Sequence, residues 1–105
     1  MNVLDDLMAT ITARKSADAE SSWTAQLLAK GPEKCAGKFG EEAIEAIIEA
    51  VKGDREALTR EAADVLYHLL VMLASRDVEL AEVLTELERR QGISGVAEKA
   101  ARNKS

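Results

Sequence analysis

With 105 residues, 47% of them hydrophobic, the chain is long enough for one modest core and too apolar to stay disordered. The net charge of −5 is uneven: residues 1–88 hold nine basic and eighteen acidic side chains, whereas residues 89–105 hold five basic against one acidic. An acidic body excludes general nucleic-acid binding, which needs a basic face, and a single cysteine excludes an intrachain disulfide.

Trp23, Phe39 and Tyr67 are the only aromatics, so aliphatic residues and alanine must fill the core. That composition suits helices packed on helices better than sheets. Val3, Leu4, Leu7, Met8 and Ile11 fall at helical spacing and predict a first helix over about residues 2–14. Arg14 to Ser22 reads as a polar loop, and a short helical turn follows over Thr24 to Lys30. Gly31 stops it, and Pro32 suits the first turn of a long helix that runs to Lys52. The apolar face of that helix is Cys35, Ala36, Phe39, Ala43, Ala46, Ile47, Ala50 and Val51, widened by Ile44 and Ile48.

Gly53-Asp54 is a tight stop and restart, with Asp54 as N-cap of a helix over Arg55 to Ser75. From Glu61 onward that helix is apolar nearly all round, the pattern of a helix buried on most sides. A last helix spans Leu80 to Gln91, with Leu80, Val83, Leu84 and Leu87 inward, and Gly92 ends it. The expectation is one all-α domain over residues 1–105, a bundle of about four main helices. So few helices can hardly cover the third, so dimerisation is expected to complete the bundle. Residues 93–105 form a basic tail, expected to be mobile without ligand. No apolar run reaches the ~20 residues of a membrane span. Asp5 and Asp6 stand where a signal peptide would need basic and apolar regions. A cytoplasmic protein with no membrane partner is expected.

The chemistry lies in two acidic patterns. Glu41, Glu42 and Glu45 form EExxE in the second long helix, and Glu61 and Asp64 form ExxD in the third. Residues three or four apart share a helical face. Glu45 lies eight residues before Gly53 and Glu61 eight after it, so antiparallel neighbours joined at that turn bring the pairs level. Four carboxylates converging on one groove repel unless a cation neutralises them. A hard, oxygen-seeking ion such as Mg²⁺ fits; one histidine and one cysteine argue against zinc or copper. The alternative is an ordinary solvated acidic face, with Lys38 and Arg60 as ion-pair partners.

EExxE followed by ExxD on antiparallel helices resembles the signature of the all-alpha NTP pyrophosphohydrolase superfamily. Further stretches are similar to its phosphoribosyl-ATP pyrophosphatase family: Ser22-Trp23-Thr24-Ala25-Gln26-Leu27-Leu28 with Gly31, Lys38-Phe39-Gly40-Glu41-Glu42-Ala43, Ala63-Asp64-Val65-Leu66-Tyr67-His68-Leu69-Leu70, and Ser94-Gly95 with Glu98-Lys99-Ala100. Trp23 stands where a tyrosine is usual and Cys35 where an aliphatic is usual. The resemblance implies hydrolysis of phosphoribosyl-ATP to phosphoribosyl-AMP and pyrophosphate, with Mg²⁺, in a cytoplasmic homodimer or dimer of dimers. Glu42, Glu45, Glu61 and Asp64 are the expected metal ligands. Glu41 either activates the attacking water or completes a second metal position. Lys38 binds a phosphate oxygen or pairs with Glu42. His68 is a core histidine or orients Asp64. Trp23 stacks on the adenine or anchors its loop, and Lys99 and Arg102 hold the phosphoribosyl phosphate or lie in a solvated tail. The rival readings are the same chemistry on dUTP or another nucleotide, and a non-catalytic helical dimerisation module.

Overall fold

The computed structural model describes residues 2–92 and residue 102, and among these it contains helices and no strand. Residues 2–92 form five α-helices: α1 Val3–Arg14, α2 Trp23–Lys30, α3 Pro32–Lys52, α4 Arg55–Ser75 and α5 Leu80–Gln91. The all-α expectation and the long-helix boundaries hold. The stretch expected to be a plain loop contains a 3-10 turn at Ala19–Ser21. Asp18 organises that turn by accepting a hydrogen bond from the Glu20 amide at 2.9 Å, a local side-chain cap that periodicity does not reveal.

Local chemistry sets each boundary. The Asn2 side chain accepts from the Asp5 amide at 3.0 Å and starts α1. Ser22 accepts from the Ala25 amide at 2.9 Å, so α2 opens at Trp23, one residue ahead of the expected start. Gly53 sits at φ 79°, ψ 18°, the left-handed region that glycine enters at no steric cost. Its amide donates to Ala50 and the Asp54 amide to Glu49, both at 3.3 Å, so orphan carbonyls of α3 are satisfied. Asp54 then accepts from the Ala57 amide at 3.0 Å and starts α4. Two residues thus reverse the chain, and α3 and α4 form an antiparallel hairpin of two 21-residue helices.

The core lies where α1 and α2 cross the far half of this hairpin. It consists of Met8, Ile11, Leu27, Cys35, Leu70, Val71, Ala74 and Leu80. The Cys35 thiol donates to the Leu27 carbonyl at 3.3 Å, and burial raises its pKa, so it is an inert packing residue. Two polar links join elements distant in sequence: Lys15 pairs with Asp77, and the Thr24 and Tyr67 hydroxyls hydrogen-bond to one another.

The expected apolar face of α3 is not buried within one chain. Only Cys35 of that helix is buried, while Ile44, Ile47, Ile48 and Val51 are exposed, Val51 by 84%. Leu66 on α4 and Leu84 and Leu87 on α5 are exposed too, so the inward placement expected for those two leucines is not met. The reason is geometric. α1 and α2 cover only one side of the hairpin, and Leu80 is the one buried residue of α5. The radius of gyration, 16.0 Å, exceeds the roughly 13 Å of a compact chain this long.

Candidate metal and phosphate site

The short turn at Gly53 brings the acidic patterns level, as their spacing requires. Glu42 and Glu45 on α3 and Glu61 on α4 each offer a carboxylate oxygen, and these three oxygens all lie within 4.8 Å of one another. Glu42 is mostly sheltered and Glu45 is exposed. One oxygen of Glu61 (Oε2) is buried and has no hydrogen-bond partner among the described residues. Asp64, one turn further along α4, is exposed and stands outside the group of three, yet its charge acts on both Glu42 and Glu61.

Both of those glutamates hold their protons more tightly than an ordinary carboxylate. For Glu42 the causes are burial, then Glu45, then Asp64, with Lys38 opposing. For Glu61 they are burial, then Glu45, then Asp64 and Glu49. Clustered acids with raised pKa values in a groove mark a place that lacks a positive charge. An all-oxygen donor set with an orphaned buried carboxylate oxygen fits a hard divalent cation such as Mg²⁺, whose remaining positions stay open to water and phosphate.

Glu49 was not singled out from the sequence. It sits one turn beyond Glu45 on the same side of α3, bears on Glu61, and pairs with Lys52 at 3.2 Å. The i, i+4 step from Glu45 is the signal that could have found it. Lys38 lies 3.5 Å from Glu41 and 3.8 Å from Glu42, so it borders the acidic groove and its ion pairs are loose. Glu41 is 65% exposed, with its carboxylate turned to solvent beside Glu42.

His68 is 6% exposed, and its Nδ1 has no hydrogen-bond partner among the described residues. Burial, and then the charge of Lys38, lower its pKa, so the ring is neutral near pH 7. The ring also meets Tyr67 edge-on, with centroids 4.8 Å apart. Trp23 opens α2 and is half exposed. Arg102 is exposed, and Lys99 and the Ser94-Gly95 segment lie outside the described residues.

A family model described as Phosphoribosyl-ATP pyrophosphohydrolase matches residues 4–91. A phosphoribosyl-ATP pyrophosphatase of Dinoroseobacter shibae is 79% identical over 102 residues, covering 97% of this chain and 100% of the relative. Proteins of the same name from Ruegeria pomeroyi, 75% identical over 99% of each chain, and Roseobacter denitrificans, 76% identical over 97% of each, are similar throughout. With a family model over most of the sequence and relatives matching nearly all of it, the chain belongs to the phosphoribosyl-ATP pyrophosphohydrolase family.

Proposed function

We propose that this chain hydrolyses phosphoribosyl-ATP between its α and β phosphates, giving phosphoribosyl-AMP and pyrophosphate for histidine biosynthesis, with Mg²⁺ as cofactor. The observation that carries this reading is the trio of carboxylate oxygens within 4.8 Å, drawn from two helices and including a buried orphan. Glu42, Glu45 and Glu61 would hold the cation, with Asp64 completing the set from the next turn of α4. When bound, Mg²⁺ neutralises phosphate charge and polarises the phosphorus under attack.

The other residues act around that charge. Glu41, exposed beside Glu42, takes the proton of the attacking water. Lys38 binds a phosphate oxygen, and its loose contacts at 3.5 and 3.8 Å leave its ammonium available for that bond. Neutral, buried His68 orients Asp64. Trp23 offers a half-exposed indole to the adenine, and Lys99 and Arg102 supply positive charge for the phosphoribosyl phosphate.

The uncovered isoleucines of α3 with Leu66 of α4 form the face through which two chains pool their helices into a homodimer, itself able to pair again. None of the described helices is long and apolar enough to cross a membrane. A cytoplasmic enzyme acting on a small nucleotide, with no nucleic-acid or membrane partner, is the setting that fits.

Pyrophosphate release measured with phosphoribosyl-ATP, dUTP and dCTP, with Mg²⁺ and with chelator, tests the assignment. Turnover of phosphoribosyl-ATP that chelator abolishes is expected. Asp64→Asn should fold and lose activity by roughly two to three orders of magnitude, the usual effect of removing a group that stabilises transition-state charge. Full turnover in that variant would remove Asp64 from the site.

A further inference from the structure

Among the described residues, the Thr24–Tyr67 bond is the one side-chain hydrogen bond between α2 and α4. Tyr67 lies three residues after Asp64, on the neighbouring strip of the same helix flank. It stands about 9 Å along the axis from Glu61, six residues at 1.5 Å each. Thr24 lies in the first turn of α2, next to Trp23. The Tyr67 ring also stands edge-on to that of its neighbour, buried His68, with centroids 4.8 Å apart. Thr24 and Tyr67 are both partly buried, so their hydroxyls meet sheltered from bulk water. Trp23 itself is half exposed despite being the largest side chain in the protein. Burial of the indole therefore does not by itself fix its position.

We infer that Tyr67 is a positioning residue for the nucleoside end of the substrate. Its hydroxyl pins the first turn of α2, and so holds Trp23 beside the flank of α4 that carries Asp64. The inference rests on the phosphohydrolase reading given above, in which the phosphates lie at the acids. A nucleotide seated there then reaches toward the α2 terminus, where an aromatic face is offered. Tyr67 touches neither phosphate nor metal in this scheme. It acts through Thr24 and Trp23.

Trp23 is the sole tryptophan, so its fluorescence reports this end of the site without interference. In the full-length wild-type protein, phosphoribosyl-ATP and AMP should quench that emission. Tyr67→Phe, which removes only the hydroxyl, should raise KM for phosphoribosyl-ATP about three- to tenfold, the effect of losing one hydrogen bond. It should weaken AMP quenching by a similar factor and change kcat and the Mg²⁺ requirement less than twofold. Thr24→Val should reproduce this behaviour, and Thr24→Ser, which keeps the hydroxyl, should restore the wild-type KM. The Thr24 pair also carries the test if Tyr67→Phe fails to fold. A Tyr67→Phe or Thr24→Val enzyme with wild-type KM and quenching overturns the inference and leaves the hydrolase reading intact. So does a fall in kcat alone, or a wild-type enzyme that turns over while its tryptophan ignores the nucleotide. A wild-type protein with no turnover sinks the hydrolase reading and this inference with it.

Discussion

Replacing Glu45 by glutamine should reverse sign in its effect on stability when Mg²⁺ is added. At about pH 8, where Glu42 has lost its proton, and without metal, Glu45 and Glu42 hold like charges with carboxylate oxygens no more than 4.8 Å apart. Even at the dielectric constant of water this pair repels by about 0.9 kcal/mol, and Glu42 is sheltered enough to feel more. Glutamine keeps the shape and removes the repulsion. In chelator the variant should therefore melt about 4 °C above wild type, since about 1 kcal/mol moves the midpoint by 4–8 °C in a domain of nearly this size. With Mg²⁺ at a hundred times its dissociation constant, wild type gains about 2.7 kcal/mol, or roughly 10 °C. The variant has lost a ligand and should gain little, so the order of the two melting curves inverts. Turnover should fall by about two to three orders of magnitude in the same variant. Thermal unfolding in chelator and across a Mg²⁺ series measures this directly. The reasoning fails if Glu45→Gln melts below wild type in chelator and both proteins gain equally from the metal.

The raised pKa values of Glu42 and Glu61 make a second prediction. The metal-free fold binds more protons than the unfolded chain between the ordinary carboxylate pKa and the raised values, so its stability falls as pH rises through that window. Mg²⁺ must displace those protons, so its affinity rises over the same window. Calorimetry near pH 5 in two buffers of different ionisation enthalpy should show proton release that vanishes near pH 8, and equal release at both would refute the assignment. Ile47→Glu places a charge on the uncovered face of α3. Light scattering should find the proposed homodimer in the wild type and a monomer in this variant, and equal masses would exclude that face from the interface.

Much of this molecule follows from neighbours in sequence. Asn2, Ser22 and Asp54 cap helices by reaching three residues ahead, and Gly53 reverses the chain through its own backbone freedom. Those contacts are local, so the order and limits of the helices could be read in advance. The acidic groove could be read as well, because a two-residue turn makes the register of an antiparallel pair a matter of counting outward from Gly53. What the turn cannot specify is rotation of each helix about its own axis, which depends on packing contributed by remote segments. That rotation leaves Asp64 outside the three-oxygen group, brings Glu49 to bear on Glu61 and joins Tyr67 to Thr24. It also decides which apolar residues find partners. Hydrophobic periodicity says that a face seeks cover, but only the path of α1 and α2 over one side of the hairpin determines that Leu70 and Val71 are buried while Ile47 and Val51 face outward.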